Sequence, residues 1–145
     1  MYKAVAVLLL SLTSFSSFAA FCDGKILSKK TLSRCTINID ELLGANLTFG
    51  ATYVSKIKGA MSGYTLRAGF GEKGNKINMG YTQAIIGFKM DYALSYAEIT
   101  NPDINSFKKG VGLEVNLDFI GLNLMASTYQ YNNKKYNYIG IGYAF

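Results

Sequence analysis

The chain has 145 residues, with 15 lysines and arginines against nine aspartates and glutamates, a formal charge of +6. That length fits one domain after an export leader and leaves no room for a second. Histidine is absent and cysteine occurs twice, so the usual general base is missing and a metal site is poorly supported; no cofactor is expected.

In chain order, Met1, Tyr2 and Lys3 give a positive start, residues 4–12 are an apolar run, and Ser17, Phe18 and Ala19 offer small residues to a signal peptidase. The run of about nine residues is far short of the roughly 20 needed for a spanning helix, so a cleaved signal peptide over residues 1–19 is favoured over a signal anchor. The mature domain is then 20–145. Cys22 lies just past the apolar run, but Phe21 stands where a lipoprotein signal needs Gly, Ala or Ser. Residues 20–30 are polar and turn-rich and read as a periplasmic lead-in. In an oxidising compartment Cys22 and Cys35 form a disulfide staple, worth about 3 kcal/mol in the chain-entropy account. A reactive thiol pair is the alternative.

Residues 31–40 read either as a strand with Ile37 and Ile39 on one face or, from Ile39 onward, as the start of a short helix. From Ala45 the period-two pattern is regular. Leu47, Phe49, Ala51 and Tyr53 face one way; Asn46, Thr48, Gly50 and Thr52 face the other. Residues 55–61 turn the chain, and Tyr64, Leu66, Ala68 and Phe70 then oppose Thr65, Arg67 and Gly69. After a turn at 72–75, Ile77, Met79 and Tyr81 oppose Asn78, Gly80 and Thr82, with a break at Ile86 and Gly87. Phe88, Met90, Tyr92, Leu94 and Tyr96 form the clearest row, against Lys89, Asp91, Ala93, Ser95 and Ala97. Residues 100–109 hold the single proline, Pro102, and are the longest loop. Val111 to Phe119 alternate with Gly112, Glu114, Asn116 and Asp118. Ile120 and Gly121 turn into Leu122, Leu124 and Ala126, and residues 132–135 return the chain to the last strand.

That strand puts Ile139, Ile141, Tyr143 and Phe145 on an apolar face and Tyr138, Gly140, Gly142 and Ala144 on a small-residue face. An apolar row outside and small or polar residues inside suit a narrow transmembrane barrel; a soluble barrel or sandwich would turn these faces round. The Gly-x-Gly-Tyr-x-Phe ending, carried by Gly140, Gly142, Tyr143 and Phe145, resembles the carboxy-terminal signal by which the barrel assembly machinery recognises outer-membrane proteins. Residues 59–66 also resemble the start of the second strand of the small eight-stranded outer-membrane barrels, the OmpX, Ail and OmpA membrane-domain type. The resemblance implies an all-β, up-and-down antiparallel barrel in the outer membrane of a Gram-negative cell, with adhesion, envelope integrity or host and phage interaction as its range of roles. Eight strands require residues 31–40 as a strand; a register closer to the family starts at Ala45 and leaves seven, unless the N-terminal part or a split segment supplies another.

Strand parity from a periplasmic carboxy-terminus puts the turns at 86–87 and 120–121 on the periplasmic side and those at 72–75, 100–109 and 132–135 outside. Arg67, Lys89, Asp91, Glu114 and Asp118 then point into the lumen, where opposite charges plug the barrel; an ion path through them is the competing reading. Lys73, Lys76, Lys108, Lys109, Lys134 and Lys135 form an external basic rim, with no comparable cluster of acids, facing lipopolysaccharide phosphates. Tyr129, Tyr131, Tyr136 and Tyr138, beside Lys134 and Lys135, read as an aromatic girdle rather than a nucleic-acid surface. Without histidine or a Gly-x-Ser-x-Gly elbow, catalysis is not expected. The expected function is structural or surface-interacting, with a narrow channel or carrier for a small or apolar solute as the alternative.

Overall fold

A computed structural model of the protein describes residues 22, 26–28, 30–57, 60–100 and 108–144, with backbone alone for 26–28, 56 and 57. The expected signal peptide over residues 1–19, the loop around Pro102 and Phe145 lie outside the described residues. Alternating side chains build strands over most of the described residues from 31 to 144, because each strand can give one face to the interior and the other to the exterior. The strands are β1 (Ile26–Ser28), β2 (Thr31–Asp40), β3 (Gly44–Ile57), β4 (Ala60–Gly71), β5 (Gly74–Ile85), β6 (Phe88–Ile99), β7 (Lys109–Phe119), β8 (Leu122–Tyr131) and β9 (Lys134–Ala144).

Consecutive strands pair antiparallel, and β2 also pairs with β9, so β2 to β9 close an eight-stranded barrel. Residues 31–40 are therefore a strand over their whole length, and the alternatives of a short helix or a seven-strand register are set aside. Following paired residues once round the barrel returns to β2 with a stagger of about ten residues, which tilts the strands steeply and leaves a bore only wide enough for side chains. The faces are as the alternation predicts. Leu94 is 56% exposed on the outside, while Ser95 beside it is 0% exposed inside.

The hairpins sort by end. Residues 41–43, 72–73 and 132–133, with the end of β6 and the start of β7, lie at one end, the loop end; 86–87, 120–121, the start of β2 and the end of β9 lie at the other. The loop-end hairpin at Asn132 and Asn133 has φ of 47° and 60°, the left-handed pair that a tight two-residue β-hairpin needs and that asparagine tolerates. β3 and β4 continue to Ile57 and from Ala60, so strand takes up most of the turn predicted over 55–61, with a register shift between Val54 and Lys56.

The lead-in contains a strand that its polar composition hid. β1 pairs with β2 through Ile26 with Leu32 and Ser28 with Thr31, on the edge of β2 that β9 occupies higher up through Ala144 with Thr36. Cys22 and Cys35 are disulfide-bonded, with Cα atoms 5.1 Å apart. Cys35 is on the outward side of β2, between inward Arg34 and Thr36, yet is 0% exposed, and its bonded partner Cys22 is buried with it. Cys35→Ser is expected to lower stability by about 3 kcal/mol. The check is the denaturant midpoint of the purified protein, together with failure of the wild type to take up a thiol label without reductant. Ready labelling of the unreduced wild type would refute the staple.

Candidate functional site: the ion-paired lumen and its two ends

Strand parity delivers every charged side chain of the lumen. Because Tyr92, Leu94, Val115 and Leu117 point outward, Asp91, Glu114 and Asp118 must point in, and a carboxylate in so narrow a space needs partners. In the half nearer the C-terminal end, the Arg34 guanidinium donates to Asp91 through Nη1 and to Asp118 through Nη2. Lys89 Nζ lies 3.0 Å from Asp118 Oδ2, and Asn123 Nδ2 donates to Asp118 Oδ1. Thr82 Oγ1 donates to Asp91 Oδ1 at 2.7 Å.

In the half nearer the loop end, Glu114 is the hub. Its carboxylate accepts from Lys76 Nζ at 2.8 Å, from Asn78 Nδ2 at 2.7 Å and from Asn116 Nδ2 at 2.8 Å, with Arg67 Nη2 at 3.6 Å. Arg67 Nη1 reaches Asp91 Oδ2 at 3.3 Å, so one arginine joins the two halves. Ser95 donates to Asn78 Oδ1 at 2.6 Å and shares a 2.6 Å hydrogen bond with the Tyr129 hydroxyl.

Above this network the lumen is closed by an apolar cluster of Leu42, Leu43, Ala97, Ile99, Tyr129 and Tyr138. The turn at 41–43 folds inward to supply its two leucines. Asp40 holds that turn, accepting from the Leu43 amide at 2.6 Å and from Asn46 Nδ2 at 2.6 Å. Charge is thus sealed from the loop end, while at the opposite end Lys89 remains 25% exposed at its side chain and, with Asp118, lines a mouth of about 260 Å³. Among the described residues no group of three or more His, Cys, Asp or Glu is placed to hold a metal ion.

The five predicted lumen charges, Arg67, Lys89, Asp91, Glu114 and Asp118, all face inward and belong to this network. Two members were missed. Arg34 follows from the outward placement of Ile37 and Ile39 once residues 31–40 are taken as a strand. Lys76 was expected on the basic rim; it is instead 2% exposed and paired with Glu114, since its neighbour Ile77 points out and Lys76 must therefore point in. Parity similarly overturns the girdle reading at two positions: Tyr129 and Tyr138 are 1% and 7% exposed and pack edge to face inside the barrel.

Of the remaining rim lysines, Lys108, Lys109, Lys134 and Lys135 are exposed at the loop end and Lys73 is half-buried there. Against the expectation of no comparable cluster of acids, Glu41, Glu72 and Glu98 are exposed at the same end, and Lys109 Nζ is 3.1 Å from Glu98 Oε1. Of the terminal motif, Gly140 and Gly142 lie on the lumen side of the closing seam and Tyr143 faces out.

Fold and lumen together define a closed eight-stranded antiparallel barrel, polar and ion-paired within and apolar without. Comparison with protein-family models, curated proteins and solved structures finds no match.

Proposed function

We propose that this protein is an outer-membrane barrel of a Gram-negative cell, exported through a cleaved signal peptide, with a structural or surface-interaction role. The observation that carries the reading is the inversion of its faces. Ile39, Leu66, Met79, Leu113 and Ile139 are each more than half exposed, while Arg34, Arg67, Asp91 and Glu114 are almost wholly buried. Each such apolar side chain gains about 1.5–3 kcal/mol when removed from water, so the outward rows demand an apolar surrounding around the whole circumference. A closed barrel also satisfies its backbone hydrogen bonds without water, the condition for crossing a bilayer with strands. The lumen filled with paired charges and capped by Leu42 and Leu43 supports a structural role over conduction of solute. No catalytic or nucleic-acid role is proposed. Adhesion, envelope integrity and host or phage contact stay within the proposal as partners of the loop end.

The purified full chain, mixed with phospholipid vesicles, is expected to float with them and to run faster on gels unheated than heated. Deleting Phe145 is expected to lower its yield in the outer membrane of a producing cell and leave degraded or periplasmic chain. A wild type that stays at the bottom of the gradient and shows no heat shift would overturn the membrane reading.

A further inference from the structure

On the outer face of β7 and β8 a groove of about 340 Å³ runs from the apolar rows up to the loop-end rim. Its floor is backbone, because Gly112 and Tyr129, paired across the two strands, leave the outer side there without side chains. Its walls change character along their length. Leu94, Leu113 and Thr128 form one cross-strand row at the foot, and Val111, Gln130 and Lys135 form the next row toward the loop end, with Lys135 beside Gln130, its cross-strand partner. No acid lines this groove, and Lys135 is exposed with no carboxylate partner among the described residues.

Two other grooves on the outer face lack that combination. The larger, about 570 Å³, follows the seam between β2 and β9 along Ile39, Ile139 and Ile141, but Glu41 stands on it. Its carboxylate would repel an anion. A third, beside Tyr64, Tyr81 and Tyr92, has no charged residue at all. Three apolar side chains, the hydrogen-bonding groups of Thr128 and Gln130 beside them and a cation at the loop-end rim match an acyl chain, its ester linkage and a phosphate.

We propose that the groove between β7 and β8 binds one anionic phospholipid-like molecule, with an acyl chain against Leu94, Val111 and Leu113 and its phosphate on Lys135. The proposal rests on the membrane reading above and adds to it a defined partner class and position. Lys108 and Lys109 lie outside the groove, and Lys109 is already paired with Glu98. They are not part of the site.

The full chain in detergent micelles is offered dilauroyl phosphatidic acid or dilauroyl phosphatidylcholine, and retained lipid is counted by native mass spectrometry. One phosphatidic acid is expected to be kept in preference to phosphatidylcholine. Lys135→Gln is expected to weaken that retention about fivefold, the effect of one lysine at an anionic membrane surface. Thr128→Trp, which fills the groove and leaves charge unchanged, is expected to weaken it as well, and the Lys108→Gln, Lys109→Gln double variant to leave it intact. Equal retention of the two lipids, an unaffected Lys135→Gln, or displacement by inorganic phosphate alone would overturn the site. Vesicle flotation of the same preparations separates the two failures. A wild type that floats without the lipid preference refutes the groove and keeps the membrane reading; one that does not float refutes both.

Discussion

Alanine at Glu114 is expected to lower the unfolding free energy by about 3–5 kcal/mol, the cost of removing one partner from a buried ion pair. The loss is large because the carboxylate serves several donors at once. Without it Lys76, whose side chain is 1% exposed, has no carboxylate within reach, and Asn78 and Asn116 each lose an acceptor. Arg67 is less affected, since it keeps Asp91 at 3.3 Å. The same reasoning makes the double variant Lys76→Met, Glu114→Leu milder than Glu114→Ala, because both buried charges then leave together. Lys109→Ala supplies the contrast: its pair with Glu98 is 60% and 48% exposed, and surface pairs contribute about 0–1 kcal/mol. Midpoints of urea unfolding in micelles decide the matter. Equal shifts for Glu114→Ala and Lys109→Ala would show that the lumen network does not hold the barrel.

The fold was legible because period-two alternation needs no tertiary knowledge. The row from Phe88 to Tyr96 fixes the inward direction of Lys89 and Asp91 from sequence alone, and even strand number then demands a strand at 31–40. What stayed hidden has physical reasons. β1 is three residues long and owes its place to β2 and the disulfide, so nothing local announces it. Lys76 and Tyr129 differ from expectation because a lysine just after a turn and a tyrosine just before one are also what a membrane rim shows, and strand parity alone separates the two. The apolar cap could not be seen at all. Leu42 and Leu43 sit in a turn, and only closure of the barrel brings them against Tyr129 and Tyr138, which lie far along the chain.

Closure itself depends on a narrow seam, and Gly142→Val is expected to reduce the yield of closed barrel by at least about fivefold, taking overpacking against immovable neighbours at about 1–3 kcal/mol or more. Among the described residues β9 meets β2 where Ala144 to Gly140 pair with Thr36 to Asp40. At the middle of that seam a Cβ on Gly142 would collide with the Ile37 carbonyl oxygen and with Asn38 Oδ1, and would lie 2.8 Å from Asn38 Cα. Two of these atoms are backbone, and Asn38 is 2% exposed with its Nδ2 donating to Thr36 Oγ1 at 3.2 Å, so the neighbours have little room to yield. Gly140 is confined in the same way by Asp40 Cβ at 2.6 Å. The glycines of the terminal motif therefore have a packing reason to be glycine that is separate from any recognition by assembly machinery. Refolding the purified chain into micelles, with no other protein present, tells the two apart. If Gly142→Val refolds to the heat-shifted form as well as wild type does and fails only in cells, the glycine serves recognition alone. If it fails in micelles too, while Ile141→Val on the outward face of the same strand refolds normally, the seam is what requires it.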